Sequence, residues 1–249
     1  MVIPTIHVFP TPGELAAEAA SRFIRSAEEA IIATGRFAVA LSGGSTPQAM
    51  FKLLASDELA GKVDWGKTHI LFADERCVPP GDSQSNFGMA CRLLLDHVAI
   101  PYEQIHRMMG KDDPQHAADE YDAMLHKDFP KGVDLILLGM GEDGHTASLF
   151  PGTRALDAAS DRFCVANQVP QMDSWRLTLT AAYINSAFEV LLLVSGIAKA
   201  PVARVVLEGQ ARPGQYPISL IQPKTSRLTW LMDVHAAGMD EEKADESAN

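Results

Sequence analysis

The sequence predicts an α/β fold: one domain with a largely parallel sheet. Three observations carry this. Short apolar runs alternate with segments of helical periodicity along the whole chain, the pattern of a parallel sheet joined by crossover helices. The run VDLILL at 133–138 is short and apolar at adjacent positions, as a strand buried on both faces is. Glycines, hydroxyls and charged residues stand directly after the apolar runs, and open parallel sheets bind ligands at the carboxyl ends of their strands.

The elements follow in order. IHVF at 6–9 reads as the first strand. Residues 13–33 read as a helix, because Leu15, Ala19, Ala20, Phe23, Ile24, Ala27 and Ile31 recur at spacings of three and four. FAVAL (37–41) is the next strand, followed by a glycine loop and the helix-like PQAMFKLLAS. THILFA (68–73) is another, with the helical pattern NFGMACRLLLDHV after it. PQHAADEYDAMLHKDF reads as a polar helix leading into VDLILL. RFCVA, RLTLT, EVLLLVS and LTWLMD read as further strands, with helical pieces at 181–187 and 197–208. No linker or internal repeat divides the chain, so residues 1–235 are expected to form a single domain. The small, acidic end 236–249 is expected to fray as a flexible tail.

Composition narrows the function. With 47% hydrophobic and 21% charged residues over 249 positions, the chain has the make-up of a soluble globular protein with a substantial core. A net charge of −11 speaks against a nucleic-acid partner, which needs a basic footprint on the phosphate backbone. It leaves room for a small anionic ligand in a local basic pocket. The opening MVIPTIHVFP has no basic region ahead of an apolar core, so no signal peptide is expected. No apolar run approaches the roughly 18 residues of a membrane span, so no membrane partner is expected. Three cysteines without a CxxC pair suit a reducing compartment, and a cytoplasmic protein is expected. The histidines show no HExxH or similar spacing, so no required metal is expected.

Four strand ends carry candidate chemistry. After FAVAL stands SGGSTP: Gly43 and Gly44 let the backbone approach a ligand, and Ser45 and Thr46 offer hydroxyls. Pro47 suits the first turn of a helix, and the free N–H groups of a helix start favour an anion, phosphate above all. After THILFA stands DERCVP: Arg76 offers a fork for carboxylate or phosphate oxygens, and Asp74 a base or hydroxyl acceptor. Cys77 in the same stretch reads as an inert thiol. After VDLILL stands GMGEDGHTASLFPG, in which Asp143 and His145 lie two apart among glycines. An unperturbed imidazole pKa of about 6.5 makes His145 the candidate general base near neutrality. After EVLLLVS stands GIAKA, where Lys199, one turn into a helix, supplies a point charge for an anion. Arg176 stands at the start of RLTLT, with Thr178 and Thr180 on one face of that strand.

Taken together, LSGGSTP, FADERCVP with SNFGMA, GMGEDGHTASLFPG, RLTLT, SGIAKA and TWLMD resemble the 6-phosphogluconolactonases, in order and over about residues 40–233. The histidine stretch is the most specific match; SGGSTP is shared with related sugar-phosphate enzymes. The nearest rival family is the glucosamine-6-phosphate deaminases. They share the fold and a similar Asp-Gly-His loop but carry a glutamate before the loop's Pro-Gly, where this chain has Phe150. A phenylalanine neither donates nor accepts a proton, which favours the lactonase. The resemblance implies a modified Rossmann-like, largely parallel sheet with helices on both faces, like that of the glucosamine-6-phosphate deaminases, with 6-phospho-D-glucono-1,5-lactone as substrate, 6-phosphogluconate as product, and no cofactor. In that setting His145 activates a water, Asp143 orients the imidazole, Arg76 offsets charge on the carbonyl oxygen and Asp74 holds sugar hydroxyls. Gly43, Gly44, Ser45, Thr46, Arg176 and Lys199 bind the phosphate. How the three basic residues divide between phosphate and carbonyl stays open, as does the choice between monomer and homodimer. A sugar-phosphate sensor that binds without turnover is the alternative class, and lactone hydrolysis separates the two.

Overall fold

The computed structural model describes residues 3–212, 214–223 and 227–239. In chain order the elements are β1 (Thr5–Phe9), α1 (Pro12–Thr34), β2 (Phe37–Leu41), α2 (Ser45–Leu54), β3 (Thr68–Phe72), β4 (Asp74–Arg76), α3 (Asn86–Leu93), α4 (Pro114–Asp128), β5 (Leu135–Gly139), β6 (Cys164–Val169), β7 (Ser174–Leu179), α5 (Ala181–Ile184), β8 (Glu189–Val194), α6 (Ala200–Leu207) and β9 (Arg227–Asp233).

Local chemistry sets the helix ends. Thr11 Oγ1 accepts the Glu14 N–H at 3.2 Å and Pro12 opens the first turn of α1. Gly35, at φ 82°, closes it with its N–H on the Ile31 carbonyl. Of the stripe expected to face the core, Leu15, Ala19, Ala20, Phe23 and Ala27 are fully buried and Ile24 and Ile31 half-buried. Ser85 and Asp113 cap α3 and α4 in the same way.

The main sheet has the order β1-β9-β8-β5-β2-β3, and every pair in it is parallel. Strands β2 and β8 are buried at every residue, so both faces of the sheet are covered, as the continuous apolar runs require. The Phe23 ring of α1 meets Phe37 of β2 edge-on at 5.3 Å, joining helix to sheet.

RFCVA and RLTLT do not extend this sheet. They form β6 and β7, which pair antiparallel with each other and, through β7, with the three-residue β4. The reason lies in the connection. Only residues 170–173 separate β6 from β7, with Asp173 at φ 44°. A link that short closes a hairpin, whereas a parallel pair needs a long crossover.

Three helical segments are shorter than their patterns. The one after β3 ends at Leu93 and continues only as a turn at Leu95–His97. The piece expected over 181–187 is Ala181–Ile184. That over 197–208 splits into a 3₁₀ turn, Ile197–Lys199, and α6, whose first turn holds Pro201. Proline has no N–H to bond back into a preceding turn, so α6 begins afresh there. The expected tail starts too early. Ala236 is 1% exposed and donates its N–H to Asp233 Oδ1 at 2.7 Å, so the packed body continues past residue 235. Residues 240–249 of that tail lie outside the described residues. Among the described residues no helix is long and apolar enough to cross a membrane.

Candidate active site

Loops leaving the carboxyl ends of β2, β5 and β8 meet at a cavity of about 190 Å³. Ser42, Gly43 and Gly44 wall it from the first loop; Gly139, Met140, Gly141, His145 and Ala147 from the second; Lys199 from the third. Asp74 and Arg76 on β4 complete it. Larger hollows of about 460, 400 and 360 Å³ lie elsewhere, walled by Val206, Ile218 and Trp230, by Arg22, Arg25 and Arg227, and by Tyr102, His106 and Glu120. In none of them is a histidine of the wall hydrogen-bonded to an acid among the described residues.

The loop after β5 is shaped around the imidazole. A Cβ on Gly141 would stand 2.0 Å from His145 Nδ1, so no other residue fits there without moving the ring. Gly144 turns at φ 75°. His145 Nδ1 lies 2.6 Å from Asp143 Oδ1, and the His145 backbone N–H donates to the same oxygen at 3.1 Å. The carboxylate thus fixes the proton on Nδ1 and leaves Nε2 unprotonated, the tautomer of a base. Burial pushes the Asp143 carboxyl up, but the two hydrogen bonds from His145 outweigh it and hold the group below the usual carboxylate range. The Phe150 ring, 3% exposed, stacks on the imidazole with centroids 4.1 Å apart and planes 21° apart.

Asp74 is 5% exposed and anchored at both oxygens: Asn86 Nδ2 donates to Oδ1 at 3.0 Å and Ser148 Oγ to Oδ2 at 2.6 Å. Gly43 is required by this network as much as by a ligand, since a Cβ there would meet Asn86 Oδ1 at 2.1 Å. Asn86 and Ser148 were not singled out from the sequence, although both lie within the quoted motifs. Each acts on a carboxylate remote along the chain, so no local spacing marks them. Glu75, beside Asp74, is structural. It accepts the N–H groups of Arg76, Asn86 and Phe87 and the Ser85 hydroxyl. Burial raises its pKa against those four bonds.

Arg76 donates from one guanidinium nitrogen to the Gln84 carbonyl, while its Nε is buried with no partner among the described residues. Arg176 stands opposite it in the β4–β7 register. It is 9% exposed, donates to Ser174 Oγ and Met172 Sδ, each at 3.3 Å, and lies outside the cavity wall. Burial, then the neighbouring Arg76 charge, lowers its pKa. The start of α2 faces the cavity through Gly44, at φ 111°, with no side-chain cap on the first N–H groups; Ser45 and Thr46 are the first two residues of that helix. Lys199 ends the 3₁₀ turn before α6 rather than lying one turn into a helix, and its Nζ is 4.0 Å from Glu142 Oε1.

Thr178 and Thr180 serve the scaffold: the first accepts the Ser148 N–H and the second caps α5. Cys77 is half-buried, and burial pushes its thiol up to about 11, which leaves little thiolate near neutrality. Among the described residues no three His, Cys, Asp or Glu side chains gather as a metal site.

The chain belongs to the glucosamine-6-phosphate isomerase/6-phosphogluconolactonase family, whose model matches residues 10–230. A 6-phosphogluconolactonase of Nostoc sp. is 38% identical over 244 residues, covering 95% of this chain and 98% of that protein. One from Haemophilus influenzae is 38% identical over 196 residues, covering 78% and 84%. Among solved structures, the 6-phosphogluconolactonase from Trypanosoma cruzi matches with a TM-score of 0.84 at 28% identity, covering 96% and 97% of the two chains.

Proposed function

We propose that this protein hydrolyses 6-phospho-D-glucono-1,5-lactone to 6-phospho-D-gluconate, the second step of the oxidative pentose phosphate pathway, with His145 activating the attacking water. The observation that carries the reading is the 2.6 Å Asp143–His145 contact in the cavity wall, which leaves Nε2 as the basic nitrogen. The shared name of the relatives supports the substrate. Phe150, at the position where the deaminases carry a glutamate, supports the lactonase over that rival.

Nε2 takes a proton from water as its oxygen attacks the lactone carbonyl carbon. The carbonyl π pair moves to oxygen, and Arg76 with loop N–H groups offsets the charge. Collapse of the tetrahedral intermediate breaks the bond to the ring oxygen, which takes the proton back from His145. Asp143 stabilises the imidazolium between the two transfers. Asp74, held by Ser148 and Asn86, accepts a sugar hydroxyl on its remaining lone pairs. The N–H groups at Gly43, Gly44, Ser45 and Thr46, with Lys199, bind the phosphate; Arg176, buried outside the cavity wall, takes no part in the phosphate contact.

The test is lactone hydrolysis by the purified protein, with the lactone generated in situ from glucose 6-phosphate and a no-enzyme control for spontaneous opening. Acceleration by the wild type is expected, and His145→Ala is expected to lose about 10²- to 10⁴-fold in kcat with little change in KM. A mutant with near-normal kcat removes His145 from the role. No acceleration by a folded wild type overturns the lactonase reading and brings ammonia release from glucosamine 6-phosphate forward as the next assay.

A further inference from the structure

We propose that Phe150 is a positioning residue for His145: its ring sets the plane of the imidazole and stabilises the imidazolium through its π face. This rests on the reading of His145 as the base. The rings are nearly parallel at 4.1 Å. Phe150 is buried, and His145 is the ring it meets among the described residues.

The Asp143 hydrogen bond fixes one point of the imidazole and leaves the ring free to rock about that bond. A parallel face at contact distance removes the rocking. The face itself is held. Before it, Thr146 Oγ1 donates to the Gly139 carbonyl at 2.8 Å, and Ala147 turns the chain at φ 47°. Ser148 Oγ is tied to Asp74. After it, the Phe150 carbonyl accepts the Thr153 hydroxyl at 2.8 Å and the Thr153 N–H at 3.2 Å. A positive φ at a non-glycine residue beside a reacting group is a cost that the surrounding bonds must hold in place.

A cation over an aromatic face is attracted to it, so the ring favours protonated His145. Other charges near the imidazole are Asp143 on Nδ1, Asp74 and Arg76 from β4, and Lys199 with its partner Glu142. Replacing Phe150 by another apolar residue changes none of these charges.

The experiment compares Phe150→Leu, which keeps apolar bulk and loses the flat ring, with Phe150→Tyr, which keeps the ring. Circular dichroism and thermal unfolding establish that each is folded. In Phe150→Leu we expect kcat to fall about tenfold with KM within a factor of two. The acid limb of kcat/KM is expected to move down by roughly half a pH unit. Phe150→Tyr is expected to restore both. Titration of the His145 ring nitrogens by ¹⁵N NMR reads the same shift without substrate, so the idea stands or falls even if the lactone is not the substrate. Equal losses in both variants, or an unchanged His145 titration in Phe150→Leu, overturn it.

Discussion

Ser148 donates its hydroxyl hydrogen to Asp74 Oδ2 at 2.6 Å, and the two residues are 1% and 5% exposed. This bond stitches the histidine loop to β4 and so ties the wall that carries His145 to the wall that carries Asp74 and Arg76. A buried hydrogen bond to a charged group contributes about 1.5–3 kcal/mol. Ser148→Ala is therefore expected to lower the unfolding free energy by about that amount and to raise KM. Urea titration and steady-state kinetics check it; unchanged values of both mean that the bond is redundant.

Asp143→Asn keeps the size of the side chain and removes its charge. The amide can present an N–H to Nδ1, which favours the wrong tautomer. A loss of about 10²- to 10⁴-fold in kcat is expected, with the overall fold retained by circular dichroism. The hydrogen bonds from His145 hold the Asp143 carboxyl below the usual carboxylate range, so its charge is in place across the neutral range. Wild-type kcat in Asp143→Asn refutes the orienting role.

Lys199→Ala removes a point charge from the cavity wall but leaves the acid–histidine pair intact. KM is expected to rise about tenfold or more, with kcat within a few-fold and with less salt dependence of kcat/KM than the wild type. An unchanged KM removes Lys199 from phosphate binding.

Gly141→Ala places a methyl group 2.0 Å from the imidazole nitrogen. The ring must leave Asp143 to make room. We expect kcat to fall about 10²-fold while thermal unfolding shifts by only a few degrees. Near-normal turnover in this variant means that the loop relaxes without moving the base.

Away from the cavity, His69 Nδ1 lies 3.1 Å from His106 Nε2, with the rings stacked at 5.4 Å and Phe129 edge-on to both. Burial lowers both pKa values; the Arg36 charge adds to it at His69 and the partner imidazole at His106. Neutral rings are thus favoured in the fold, and the unfolded chain binds protons first as pH falls. Stability from this pair is complete above the unfolded value of about 6.5 and is lost as pH drops below it, until the folded values are passed. Urea midpoints at pH 7.5 and 5.5 are expected to differ more in the wild type than in His106→Gln; equal differences exclude the pair as the source.

The parallel strands were legible because burial on two faces leaves an unbroken apolar run, as in β2, β5 and β8. The histidine loop was legible because glycines around Asp143 and His145 have no bland use at a strand end. Strand β4 was not, since three residues show no period and their partner lies about a hundred residues on, at Thr178. The anchoring of Asp74 was hidden for the same reason: a serine and an asparagine become informative only when folding brings them to a carboxylate. Arg176 was legible as a cation but not as a buried one, because its depth depends on a second sheet that the apolar runs alone do not separate from the first.

The pairing of β1 with β9, Thr5 opposite Thr229 and Phe9 opposite Asp233, has a consequence for biosynthesis. Among the described residues strand β1 has no other neighbour in the sheet, so a nascent chain exposes it unpaired until Arg227–Asp233 has left the ribosome. Every residue of the cavity, through Lys199, is translated before that moment. The loops that wall the cavity thus emerge while β8 still lacks β9 as its neighbour. A ribosome stalled before Arg227 therefore holds a chain prone to pairing its first strand with the wrong partner.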